Sequence, residues 1–345
     1  MRPKLFASIA ATAICTSVVT APLAVAQEMP GDGVTVRMAR ATWDTGWWQA
    51  EVYRQLLEEL GYNVPLPTTL DNPPFYQSVA FGDVDLWVNG WFPLHNTYED
   101  TFSEGAEIVG YVAEGGALQG YLIDKATADE YGITSVEDMT EDDIQVLFDS
   151  NGDGLADLVA CPPGWGCEEV ISHHFEALGW DDDFNAIKAG YSASMADALG
   201  RFQNGEPIFF YTWTPNWTVG LLAPGTDVVW LEMGETSLPE NQADLADATE
   251  VENLTGCAGE QPCDLGWPAN DIRPVANSQF LEDNPAVRVL LEQAGIPIED
   301  IFAQNAKMNE GADSTEDIEN QASAWIEEHR DEVDAWLDAA RAAAS

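Results

Sequence analysis

Positive charge is what this sequence has least of. Thirteen lysines and arginines stand against 60 aspartates and glutamates, a formal net charge of −47 at neutral pH. Such a field repels phosphate backbones and anionic bilayers, so nucleic acid and acidic membrane are excluded as partners. Histidine is scarce too, at four residues. None of them stands in an HExxH pattern, and GxSxG, a P-loop and a strand-to-helix GxGxxG are also missing. With no nucleophile set beside a base, and acids too numerous for one pair to stand out, neither an enzyme nor a bound cofactor is expected. After residue 27 there is no apolar run long enough to span a membrane.

Residues 1–26 read as a secretory leader. Arg2 and Lys4 open it, a largely apolar stretch follows, and Ala24-Val25-Ala26 offers small residues for cleavage. The expected location is therefore the periplasm. Cysteine is sparse, and of the five, Cys15 falls within the leader after Ile14, not the small residue of a lipoprotein site. The other four, Cys161, Cys167, Cys257 and Cys263, form two pairs with the same spacing. In an exported chain an even count favours disulfides over metal. Zinc knuckles use a different spacing, and only His173 and His174 lie near a pair. Adjacent histidines on a helix diverge, so no metal site is expected there.

What remains is rich in hydrophobic residues, 46% of the chain with 13 tryptophans, which is the composition of a globular protein. Alternation predicts strands over 34–38, 63–66, 84–88, 156–160 and 208–211. Helical spacing of Val52, Leu56, Leu57 and Leu60 predicts a helix capped at Asp44 or Thr45 and ending at Gly61. Further helices are expected over 74–81, 168–178, 195–202 and 285–294, with a last one over 315–344 capped by Ser314 and Asp317. Gly115-Gly116 reads as a flexible break. The segments 117–124 and 227–231 read as two crossings between domains. The expected architecture is α/β with two domains: 27–121 with 229–345, and 122–228. Asp149-x-Asn151-x-Asp153-Gly154 starts like a calcium loop, but Ala160 occupies the place of its bidentate glutamate, so a polar turn is expected.

Three tryptophans occur in Gly- or Pro-bearing settings at or near strand ends: Asn89-Gly-Trp91-Phe-Pro-Leu-His95, Cys161-Pro-Pro-Gly-Trp165-Gly-Cys167 and Tyr211-Thr-Trp213-Thr-Pro215. Strand carboxyl ends are where open α/β sheets bind ligands. Indole faces suit a quaternary ammonium ion, which has no N–H to donate and offers only diffuse charge. Trp43, Trp47, Trp48 and Trp217 are expected to serve as core or rim packing. His95 is expected as a charged donor to a zwitterion.

These segments, with the 149–157 block, Asp227-Val-Val-Trp-Leu231 and Ala303-Gln-Asn-Ala306, resemble the periplasmic glycine betaine/proline betaine-binding proteins of ProU-type ABC importers. The resemblance runs through the mature chain in order. It implies a two-lobed periplasmic-binding-protein fold of type II kind, which closes on its ligand by a hinge. It implies a cage of Trp91, Trp165 and Trp213 around the methylated ammonium. The ligand carboxylate would go to the His95 side chain and to backbone N–H groups of Gly166 and Cys167. A small zwitterionic ligand and a membrane permease are the implied partners, and a monomer is expected. The ligand implied is glycine betaine or proline betaine, and choline or a dimethylsulfonium solute is the alternative within this class. An exported hydrolase of choline esters, or a sensor docking on a receptor, are the alternatives outside it.

Overall fold

The computed structural model describes residues 29–344, so the expected leader lies outside the described residues. The first segment runs β1 (Ala39–Ala41), α1 (Trp47–Glu59), β2 (Thr68–Leu70), α2 (Asn72–Phe81), β3 (Leu86–Phe92), α3 (Glu99–Phe102), β4 (Ala106–Ile108) and β5 (Ala113–Asp124). In α1 the periodic Val52, Leu56 and Leu57 are fully buried. The strands expected over 34–38 and 63–66 contribute only single bridges, Thr35 to Asn63 and Met38 to Leu86. The parallel ladder forms later, between β1 and β2. Pro65 and Pro67 have no N–H to donate, which keeps the earlier stretch from pairing continuously.

The middle segment is α4 (Lys125–Tyr131), α5 (Asp142–Phe148), β6 (Ala156–Val159), α6 (Gly166–Leu178), β7 (Phe184–Ile187), α7 (Tyr191–Gln203), β8 (Phe209–Thr214), α8 (Thr218–Leu221) and β9 (Val228–Trp230). Here β6 lies parallel to both β7 and β8, so the connections are helical crossovers. In the turn before β6, Asp149 accepts the backbone N–H groups of Gly152, Asp153 and Gly154. Asp157 is taken up by Ser150, Asn151 and Asn185. Asp149 serves the turn itself, and Asp157 ties the turn to β7.

The last segment adds β10 (Glu250–Val251), β11 (Cys263–Asp264), β12 (Asn270–Asn277), α9 (Ser278–Asp283), α10 (Pro285–Gln293), α11 (Ile298–Asn309), α12 (Thr315–Glu328) and α13 (Arg330–Ala343). The single helix expected over 315–344 is thus two helices meeting at His329. Their apolar stripes have different partners, since α12 packs on α1 and α13 on α10. One straight rod could not reach both. Ser314 and Asp317 do form a reciprocal capping box at the start of α12.

The main sheet has the order β3-β12-β5-β8-β6-β7, with β4 on β12 and β9 on β5. The long β5 carries the chain across it. Ala113 and Ala117 pair with β12, and the stretch from Leu118 to Ile123 pairs with β8. The result is a two-lobed α/β fold. Gly115 and Gly116, expected as a break, lie inside β5 with φ of 67° and 75°. The register on β12 shifts opposite them, between Asn270 and Ile272, so the pair forms a bulge that only glycine accommodates.

Candidate functional site: an aromatic cavity at a helix start

The three tryptophans reach the same place by two local routes. Trp91 is in β3, paired with Ile272, and not in the loop beyond the strand, because β12 extends the ladder up to Phe92. Trp213 likewise lies within β8, opposite Gln119 of β5. Only Trp165 sits in a loop, as the residue before α6, and the Cys161–Cys167 disulfide closes that loop. The second bridge joins Cys257 to Cys263, and both pairs have Cα atoms 6.0 Å apart.

The Trp165 and Trp213 rings meet edge to face, with centroids 5.6 Å apart. Together with Trp91, Trp43, Tyr211 and Gln119 they line a small, largely apolar cavity. His95, Gly166 and Cys167 line it too, so all six residues singled out from the sequence converge there. A larger cavity lies elsewhere and has Asp300, Lys307, Asp317 and Glu328 in its walls. Its lining is largely polar, unlike a cage.

One end of the aromatic cavity is polar. His95 is 1% exposed, and burial pushes its imidazole down to about 3. It is neutral at physiological pH, not the charged donor expected from the sequence, because no carboxylate offsets the lost hydration. Its Nδ1 accepts the Trp91 backbone N–H at 3.1 Å and faces the Tyr76 hydroxyl at 2.7 Å. The accepted backbone N–H assigns the proton to Nε2, whose neighbour at 3.0 Å is Asn72 Nδ2. That ring abuts the start of α6: a Cβ placed on Gly166 would stand 2.9 Å from His95 Cδ2 and 3.3 Å from Nε2. The N–H groups of Gly166 and Cys167 belong to the first turn, where a helix supplies no acceptors. The His95 imidazole and the two helix-start residues thus border the same cavity. Unpaired amides at a helix start favour negative charge.

Trp43 departs from its expected packing role. It lines the cavity, with its ring centroid 5.2 Å from that of Trp165 and 6.2 Å from that of His95. The rule that flagged Trp91, a residue just beyond a strand, also applies to Trp43 after β1, yet β1 was not legible where it forms. Gln119 and Tyr211 were also missed. They share the face of Trp213 by two-residue alternation and cross-strand pairing, and Tyr211 donates to Gln119 Oε1 at 2.6 Å. The cleft is bridged beside the cavity: Trp165 Nε1 donates to Thr42 Oγ1 at 2.9 Å, and Thr42 donates in turn to Asp71 at 2.6 Å.

Among the described residues no helix is long and apolar enough to cross a membrane. Residues 34–328 match the family model described as the substrate binding domain of ABC-type glycine betaine transport systems. The chain is 39% identical over 338 residues to the glycine betaine-binding periplasmic protein of Dickeya dadantii, covering 97% of this chain and 98% of that one. It is 38% identical to the glycine betaine/proline betaine-binding periplasmic protein of Escherichia coli, covering 98% of both. Among solved structures, lactococcal OpuAC complexed with glycine betaine shares the fold, with a TM-score of 0.64 and 20% identity over 88% of this chain and 99% of that one. A choline-binding protein in complex with choline also shares it, with a TM-score of 0.67 and 19% identity over 90% and 96%. The chain belongs to the family of substrate-binding domains of ABC-type glycine betaine transport systems.

Proposed function

We propose that this protein captures glycine betaine between its lobes in the periplasm and delivers it, chemically unchanged, to the membrane permease of an ABC importer. The observation that carries this reading is the juxtaposition of an indole-walled cavity with a buried N–H cluster of His95, Gly166 and Cys167. The ligand is a cation without donors at one end and a carboxylate at the other, and the cavity has matching ends. Trp91, Trp165 and Trp213 take the trimethylammonium group. The carboxylate accepts from His95 Nε2–H and from the two amides at the start of α6, where the helix dipole favours negative charge.

Magnitudes support this division of labour. Three desolvated cation–π contacts supply on the order of 3–6 kcal/mol. A micromolar complex requires about 8 kcal/mol. The carboxylate contacts supply the remainder as charge-assisted hydrogen bonds. In this reading one lobe is 27–121 with 229–345, the other is 122–228, and Trp91 and His95 face Trp165 and Trp213 across the cleft. The protein acts as a monomer, exported by the leader 1–26.

The test is calorimetric titration of the mature protein with glycine betaine and with choline. Saturable micromolar binding of glycine betaine, with choline much weaker for want of a carboxylate, is the expected result. Binding of choline alone would reassign the ligand, and silence to both would sink the reading.

A further inference from the structure

Three indoles suffice to surround a methylated ammonium, yet a fourth stands in this cavity. Trp43 is 6% exposed and is held from two sides. Its Nε1 donates to Asn89 Oδ1 at 2.7 Å, and the same oxygen accepts from Trp91 Nε1 at 3.1 Å. One buried amide oxygen therefore ties two of the cavity's indoles together. Behind Trp43 lies Trp87, fully buried, with centroids 5.6 Å apart. The backbone at Gly46 passes so close that a Cβ there would stand 3.0 Å from Asn89 and 3.3 Å from Trp43 Nε1. The ring has no room to swing out of the cavity.

The position of this ring sets a length. Trp43 contacts Trp165 on one side and approaches the His95 imidazole on the other. Those are the groups assigned to the two ends of the ligand, so Trp43 stands along whatever joins the ammonium to the carboxylate. We propose that Trp43, fixed by Asn89, is a specificity-determining wall that restricts the site to quaternary-ammonium carboxylates with a one-carbon spacer. This rests on the betaine reading above. A longer spacer would have to bow against a ring that cannot yield, because Asn89 and Trp87 hold it. The alternative occupant of the ring's volume, a smaller apolar side chain, would leave space for additional methylenes.

The test is calorimetry on the full mature chain with two probes, glycine betaine and γ-butyrobetaine, which has three methylenes in place of one. Wild-type protein is expected to prefer glycine betaine at least tenfold. Trp43→Leu is expected to bring the ratio of the two affinities close to one, chiefly by admitting the longer probe, and Trp43→Phe to move it part of the way. Thermal unfolding without ligand checks that each variant is folded. If Trp43→Leu does not fold, the intermediate ratio of Trp43→Phe carries the test. An unchanged ratio in the variants, with both affinities weakened equally, would reduce Trp43 to packing and overturn the proposal while leaving the betaine reading standing. Wild-type protein that binds neither probe would overturn both.

Discussion

Two buried histidines divide this molecule into instructive halves. His95 and His174 are both desolvated, and burial pushes each imidazole down to about 3. Each meets a tyrosine hydroxyl through Nδ1, Tyr76 at 2.7 Å and Tyr121 at 2.9 Å. Each is ringed by aromatics. Around His174 stand Tyr121, Trp180 and Trp267, with the Trp267 centroid 4.9 Å away. The difference is what lies beyond the ring. His174 sits within α6 and is fully buried. His95 borders a cavity and the open first turn of that same helix. Burial, a shifted imidazole and neighbouring indoles therefore do not make a binding site. Unfilled space beside the ring does.

Variants can break that comparison, and the largest effect is expected at Trp165. Trp165→Ala removes a desolvated cation–π contact of about 2 kcal/mol and the hydrogen bond to Thr42, worth about 1 kcal/mol. Affinity for glycine betaine should fall by on the order of 100-fold in a calorimetric titration. Trp267→Ala, in the filled cluster, should instead cost about 3–5 kcal/mol of stability. Its folded fraction should bind as wild type does. Equal affinity losses in the two variants would mean that the cavity is not the site.

The histidines sharpen the contrast next. His95→Ala should weaken glycine betaine by roughly 10- to 100-fold, the value of a hydrogen bond to a charged group, and leave any choline binding unchanged. His174→Phe should leave both affinities alone. Because His95 donates as a neutral imidazole, affinity should stay flat between pH 8 and pH 5. A charged donor would lose affinity as pH rises through its pKa, so a decline across this range would refute the neutral assignment.

Stability should respond to pH where affinity does not. In the folded chain both imidazoles stay neutral down to about 3. In the unfolded chain they take up protons near 6.5. Between those values the unfolded state binds more protons, so the contribution is fully present above 6.5 and is lost as pH falls towards 3. Each histidine should cost about 1.4 kcal/mol per pH unit across that window. The dependence in denaturant melts should be shallower by that amount in His174→Phe.

The two disulfides form a smaller pair of the same kind. Opening Cys257–Cys263 with serines should cost about 2–3 kcal/mol of stability and no affinity. Opening Cys161–Cys167 should cost a similar amount and also weaken ligand severalfold, since that loop carries Trp165 and leads into α6. Identical affinities in the two reduced variants would remove pre-ordering of the Trp165 loop as the role of the first bridge.

Much of this was legible in the residues, and where legibility stopped there was a physical cause. Helices α1 and α2 follow from periodic apolar residues, and Gly82 closes α2 in the left-handed conformation. Strands β1 and β2 were displaced because tertiary pairing, not alternation, decides which few residues complete a ladder. The break at His329 is invisible locally, since no proline or glycine marks it. It arises because α12 and α13 have different neighbours. Trp91, Trp165 and Trp213 stood out through motifs that surround them. Trp43 did not, because its anchor Asn89 is 46 positions away along the chain.

The sequence by itself determined the composition of the site: the indoles, the one histidine near them, the cysteine-closed loop and a surface that repels anions. Those are properties of residue type and short spacing, and they survive without a fold. Only the tertiary structure decided which tryptophans face one cavity, that Trp43 joins them, and that His95 is neutral. Each of those depends on distance and desolvation, which exist only once segments remote in sequence are packed together.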